Sequence, residues 1–356
     1  MRRILLALAA LFSAGCAPSN ADPIALFGGA RYDWRQGSHP IGLLAAGTAS
    51  PTPEGDVLAQ LGLDGDGADD QGDLPGWELS WMEIDSDRVA VLDGEVALRI
   101  DGSGRASAQV QVDLAAPGFQ DWPEVAVALR GFEFDTDEPL ADGAPGGYDP
   151  AGGWAIQGLG AGVSAPSRGA RGIFFEVWMR YEAGAEDVSP RSDNAGFASI
   201  DGIVRYSVVA SRASRRTAGT LTASSRIQSD GSFAVAAPLP LEERTLVLSG
   251  RPRYPMGIPL LRSWELSLNA GQALPGRSLR GFGVRIVDQD YSWMRGSSRV
   301  AFDLWCSHSS AVEAGPLQVD FVVEAELLQV DDEEGTMTLH QAFGDASRER
   351  AEIVLP

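Results

Sequence analysis

The chain has 356 residues, 49 of them acidic against 28 basic, for a formal charge of −21. Every basic side chain is arginine, which excludes Schiff-base chemistry on lysine, a phosphate-loop lysine and a Ser-Lys nucleophile pair. So acidic a surface has nothing with which to neutralise phosphates and argues against a nucleic-acid partner, and the length suits two domains better than one core.

At the N-terminus Arg2-Arg3, the apolar run Ile4 to Phe12 and the small residues Ser13-Ala14-Gly15 have the three regions of an export signal. With Cys16 next, the stretch resembles the lipobox of bacterial lipoproteins, although Ser13 stands where that family most often has Leu. The resemblance implies a signal peptide over residues 1–15, cleavage before Cys16, lipidation of its thiol and attachment to a membrane through that lipid. Ala17 in place of Asp implies the outer membrane, by the rule of enteric bacteria. An ordinary secretory signal with a chance cysteine is the alternative. If Cys16 carries lipid, the second cysteine, Cys306, has no partner for an internal disulfide. No other apolar run approaches the roughly 18 residues that span a bilayer.

Residues 16–76 are rich in Pro, Gly, Ala, Ser and Asp and read as a lipidated tether with local order at most. Within them Asp64, Asp66, Asp69 and Asp70 lie on a glycine-rich stretch that could supply calcium with hard oxygens. Ala68 stands where a further ligand belongs, and a solvated acidic linker is the other reading. No other cofactor is suggested.

From Trp77 the pattern becomes short alternating runs such as ELSWMEI, EVALRI and AQVQVDL, cut by turns about every ten residues, as in an all-β sandwich. An internal repeat is visible. Arg99-Ile100 returns as Arg226-Ile227, and the run from Leu129 to Phe134 as that from Leu261 to Leu266. The run from Ile156 to Gly160 returns as Leu279 to Gly283, and that from Arg168 to Met179 as Arg295 to Cys306. Val204, Tyr206 and Val208 match Val319, Phe321 and Val323. The expectation is an all-β chain of two tandem antiparallel β-sandwich domains, Trp77 to Ser211 and Arg212 to Asp332. Residues 333–356 would then form a terminal hairpin or tail.

On such strands Cys306 falls beside Phe302 and Leu304, a core face, so it reads as a buried filler matched to Met179, with His308 matched to Tyr181. Glu176 with Trp178, and Asp303 with Trp305, lie on the opposite face, an aromatic-acid pairing that suits a sugar or simple packing. The second copy carries about four more residues between Val284 and Arg295, which places Asp288, Asp290, Tyr291, Trp293 and Arg295 on an expected loop. The first copy has a long acidic stretch before Gly158 that includes Tyr148 and Trp154. These seven are the candidate ligand-binding residues.

The stretch from Phe119 to Ala210, with FQDWPEVAVALRGFEFD, ARGIFFEVW and VRYSVVA, looks like H-type lectin modules. That resemblance implies six-stranded sandwiches that bind sugars such as N-acetylgalactosamine and usually assemble as trimers. The long insertion before Gly158 and the closeness of Trp178 to Phe175 depart from the family, and no sugar-binding residue carries over. Enzymatic signals are few. His39, His308 and His340 lack metal-ligand spacing, and Gly162-Val163-Ser164-Ala165-Pro166 ends in Pro where a serine elbow has Gly. The leading expectation is a membrane-anchored, non-catalytic binding module for a glycan or envelope protein. The alternative is an assembly lipoprotein that packs against partner proteins, and a carboxylate-dependent glycosidase stands third. The sequence does not set the oligomeric state.

Overall fold

The computed structural model describes residues 23–33, 43–48, 57–64, 76–101, 104–114, 122, 124–135, 156–169, 172–183, 199–211, 214–229, 233–268, 279–309, 317–345 and 351–355. These form an all-β chain whose one described helical element is a single 3-10 turn, Leu241–Arg244. The strands are β1 (Ile24–Asp33), β2 (Leu43–Thr48), β3 (Val57–Asp64), β4 (Gly76–Asp85), β5 (Val89–Asp101), β6 (Gly104–Asp113) and β7 (Glu124–Asp135). Then come β8 (Ile156–Val163), β9 (Ser167–Arg168), β10 (Gly172–Ala183), β11 (Ser199–Ser211), β12 (Ser214–Ser229), β13 (Phe233–Ala236) and β14 (Thr245–Ser249). The last are β15 (Met256–Leu268), β16 (Leu279–Ser292), β17 (Ser297–Ser309), β18 (Gln318–Val330), β19 (Thr336–Asp345) and β20 (Ala351–Leu355).

Hydrogen bonding arranges them in a 14-stranded path and a six-stranded sheet. The long path turns a corner where β12 and β13 pair only over Ile227–Ser229. It therefore resolves into two ranks, β19-β4-β1-β16-β17-β13 and β12-β18-β15-β8-β10-β6, with β14 and β9 added beside β17 and β10; the third rank is β20-β3-β2-β7-β11-β5. The strand order shows a threefold pattern. The trio β5-β11-β7 matches β12-β18-β15 and β19-β4-β1, and the trio β6-β10-β8 matches β13-β17-β16 and β20-β3-β2. Each unit thus has two three-stranded faces, and in the first unit these meet through the edge-on rings of Phe175 on β10 and Tyr206 on β11, 5.0 Å apart. Each rank joins one face from each of two units, through β15 with β8, β16 with β1, and β7 with β2.

The third unit is split between the chain ends: β19 and β20 supply its edges and β1 to β4 its interior. A β-bulge recurs at the same place in all three inner strands, skipping Gly28 in β1, Arg130 in β7 and Arg262 in β15. Those three strands pack against one another in the middle of a single hydrophobic cluster that draws on all three ranks. Two residues past each bulge stand Ala30, Phe132 and Trp264. The Phe132 ring lies 5.1 Å from Trp264 and 6.1 Å from Phe282, while Trp264 stacks on Phe282 at 4.9 Å. The third unit, whose inner residue is the small Ala30, adds Tyr32, 5.6 Å from Phe282, and Phe27, 6.3 Å from Phe132. The buried Tyr32 hydroxyl donates to the Ala45 carbonyl.

Four sequence expectations are corrected. The supposed tether contains β1, β2 and β3, and Phe27 and Tyr32 of β1 are core residues. Its Gly and Ala content is a packing requirement: Gly29 has φ +120°, and a Cβ there would fall 2.2 Å from the Val284 carbonyl oxygen. The two repeats are not separate sandwiches, because β8 of one pairs with β15 of the other, and Trp77 to Asp85 belongs to the third unit. The C-terminal strands form no hairpin: β19 pairs with β4 and β20 with β3, in different ranks. Finally, the strands of the two visible copies correspond, but their registers slide. Val204 opposes Phe132 whereas Val323, not Val319, opposes Trp264. Likewise Met179 opposes Ala161 as Leu304 opposes Val284, which sets Tyr181, not Met179, level with Cys306. These slides span four and two residues, both even, so every side chain keeps its face.

The chain ends meet at the same end of the ranks, since Leu355 opposes Val57 and Ile24 opposes Ile84. A circular permutant joining Pro356 to Ala17 would give β20 and β1 a connection of eight residues, close to the ten (114–123) that link β6 to β7. With new ends opened in the 86–88 turn, it should fold to a monomer with the parent's circular dichroism and a cooperative melt. An unfolded or aggregated permutant would contradict the threefold assignment.

Candidate functional site

The threefold pattern gives the body two unlike ends. At one, the upper, lie the strand ends joined by connections 34–42, 65–75, 136–155, 184–198, 269–278 and 310–316. Asp33 opposes Gly76 and Gly281, Leu43 opposes Asp64 and Asp135, and Ala183 opposes Ile156. At the lower end are the entry into β1, the end of β20, the corners 86–88, 212–213 and 331–335, the connections 49–56, 114–123 and 237–255, the last of which includes β14, and the β16–β17 turn.

The candidate residues divide between these ends. Asp64 closes β3 at the upper end, whereas Asp66, Asp69, Asp70, Tyr148, Trp154 and Cys16 lie outside the described residues. Among the described residues no group of three or more His, Cys, Asp or Glu side chains gathers as a metal site would require. The stretch expected as a loop between Val284 and Arg295 is mostly strand. Asp288 opposes Ala301 and Asp290 opposes Arg299, both acids exposed on β16, with only residues 293–296 left for the turn. Burial alternates along this stretch, with Val287, Gln289 and Tyr291 half-buried and Asp288 and Asp290 exposed, but three consecutive polar residues concealed that alternation in the sequence.

That turn is built rigidly. Tyr291 is half-buried and its hydroxyl donates to the Tyr254 carbonyl at 2.8 Å. The fully buried Gln329 donates to Tyr291 Oη at 3.0 Å, to the Arg251 carbonyl at 2.9 Å and to the Gly296 carbonyl at 3.2 Å, while its own carbonyl accepts from Arg251 N. Gly250 N donates to the Gly296 carbonyl at 2.7 Å, and Arg253 N, at φ 78°, to that of Trp293 at 2.9 Å. Burial pushes the Tyr291 phenol up, against the Gln329 hydrogen bond, which lowers it, so the group stays neutral. On this scaffold Trp293 is 56 % and Met294 70 % exposed, with Arg251, Arg253 and Arg295 exposed around them. Sequence reasoning singled out Trp293 and Arg295 but missed Met294, Arg251, Arg253 and the Gln329 hub, which come from distant stretches.

The strand-borne aromatic-acid pairs are closed. Trp178 is only 7 % exposed, covered by the Arg105 guanidinium 4.2 Å above its ring and floored by Gly160, where a Cβ would come within 3.1 Å of the indole. Trp305 lies under Arg31 at 4.3 Å, and Arg31 and Arg285 both pair with Glu78 and Asp303. These faces are already occupied by their own ion pairs. Cys306, His308, Met179 and Tyr181 are all buried, and burial raises the Cys306 thiol far above the range in which a thiolate forms, so Cys306 and His308 do not make an exposed Cys-His pair.

No protein-family model matches this chain, and no curated protein or solved structure matches it either.

A buried carboxylate lies apart from both ends. Glu326 is 2 % exposed, with Arg216 at 3.3 Å and Arg262 at 3.9 Å, while Glu124 and Glu324 take the other sides of those arginines. Burial lifts its carboxyl above the ordinary range more than the two arginines lower it. The folded state therefore holds a proton that the unfolded chain has released, so this group's contribution to stability falls as pH rises from about 4.3 towards the raised value. Glu326→Gln should flatten the loss of melting temperature over that window relative to the parent. An identical pH profile would show that the group is ionised throughout.

Proposed function

We propose that the protein is a lipid-anchored envelope protein, held to a membrane through Cys16, whose upper end binds a glycan or glycosylated envelope component without catalysis. The observation that carries this reading is polarity: the chain enters the body at the lower end, seven residues after Cys16, and the connections 136–155, of 20 residues, and 184–198, of 15, join strand ends at the other. Connections mounted on a rigid sandwich are where binding chemistry collects; 34–42 contains Trp34, and 136–155 contains Tyr148 and Trp154 together with Asp137, Glu138, Asp142 and Asp149. The likeness to H-type lectin modules adds support, because six-stranded units grouped in threes are what it implies, and three such units share one axis within this chain.

A second reading, an assembly lipoprotein, is favoured by the open edge of β19, where Phe343 is 84 % exposed. A glycan array probed with residues 17–356 separates the two, since removing 1–16 removes no described residue. Binding that falls at least tenfold in Tyr148→Ala with Trp154→Ala, and persists in Trp293→Ala, supports recognition at the upper end (roughly the loss of one aromatic contact). No glycan binding, together with a partner complex disrupted by Phe343→Ser, would favour assembly. The anchor is tested separately by mass spectrometry of the processed N-terminus, where an unmodified Cys16 would remove it.

A further inference from the structure

The Trp293–Met294 turn is left over by that reading, and its construction is that of a contact surface. An exposed indole and thioether at the apex of a hairpin add nothing to the core, yet Gln329 of β18, Tyr291 and Ser292 of β16, and Gly250 and Arg253 of the 250–255 segment hold their backbone in place. We infer that this turn is a membrane tip, inserting Trp293 and Met294 into the interface of an anionic bilayer while Arg251, Arg253 and Arg295 meet its headgroups.

Three observations select that occupant. The first is amphipathy: indole and thioether at the apex with guanidinium groups behind them match the layering of a bilayer interface, apolar inside and anionic outside. The second is charge. None of Arg251, Arg253 and Arg295 makes an ion pair with a described residue, although the chain carries −21 overall and other arginines of the body are paired. The acids of β16, Asp288 and Asp290, lie back along the strand, with Asp290 facing Arg299 across the hairpin, and the other acids exposed at the lower end, Asp85, Asp87, Asp331, Glu333 and Glu334, belong to the 86–88 and 331–335 corners. The three guanidinium groups at the apex are thus free of intramolecular ion pairs with described residues and available to lipid phosphates. The third is position. β1 runs antiparallel to β16, with Gly29 opposite Arg285, so Ile24 lies towards the turn end of that rank. Only residues 17–23 separate it from Cys16, a reach of about 25 Å at full extension. This last point rests on the proposed anchor; the chemistry of the turn does not. Anchor and tip together would fix the body upright, with the upper end directed away from the lipid.

The test uses residues 17–356, which lack the lipid site, sedimented with phosphatidylcholine vesicles and with mixed phosphatidylcholine–phosphatidylglycerol vesicles. The expected result is binding to the mixed vesicles about tenfold stronger than to neutral ones, weakened by salt. Trp293→Ser with Met294→Ser should reduce it about tenfold at an unchanged melting temperature, and Arg251→Gln with Arg295→Gln should abolish the preference for anionic lipid. Absence of vesicle binding, or equal binding by the Trp293 and Met294 variant, would overturn the proposal. So would loss of a protein or glycan partner in that variant with vesicle binding intact. Because the assay omits Cys16, its failure leaves the anchor to be judged by the mass of the processed terminus alone.

Discussion

Where the three inner strands converge, Phe132, Trp264, Phe282, Tyr32 and Phe27 form one continuous aromatic cluster, and the rest of the architecture depends on it. Phe132 belongs to the first unit, Trp264 and Phe282 to the second, Tyr32 and Phe27 to the third. Apart from the Trp264–Phe282 stack within the second unit, every ring contact in the cluster crosses from one unit to another, so the units bury these rings together. Burying a single large side chain is worth about 1.5 to 3 kcal/mol, and here the same contacts also decide which strands lie side by side. The three bulges fall at Gly28, Arg130 and Arg262, and the two arginines pair with Asp93 and with Glu324. Gly28 takes the arginine's place where a Cβ would meet the Ser80 hydroxyl at 2.8 Å.

Alternating polarity made the strands legible in the sequence, and the recurrence of aromatic and glycine positions made two units legible. The third escaped for physical reasons. Its strands come from opposite chain ends, so no uninterrupted segment resembles the others. Its inner strand, IALFGGARYD, is also enriched in small residues because it threads a crowded axis, and that composition imitates a linker. Register was legible only to an even number. Trp178 and Trp305 match in sequence, yet Trp178 opposes Gly162 and Trp305 opposes Gly283, positions two residues apart in the corresponding strands. An even slide costs nothing in patterning, so nothing in the pattern reports it.

The site was legible in part. Aromatic and acidic residue types marked Trp293 correctly as exposed, whereas the same types marked Trp178 and Trp305, which guanidinium groups cover. What distinguishes them is the strand beside each: a glycine floor and an arginine lid supplied by residues far away in sequence. Rigidity at the Trp293 turn likewise comes from Gln329, which no local motif announces. The apolar, cationic turn lies beside the point at which the chain enters the body.

The central claim, that both chain ends complete a third unit around a shared axis, is tested most directly by amide hydrogen exchange in the native protein. The account predicts that amides of residues 24–33 exchange as slowly as those of 124–135 and 256–268, because all three strands are inner members of one cluster. Exchange of 24–33 at the rate of an unstructured chain, with the other two strands protected, would show a tether in place of a strand and contradict it.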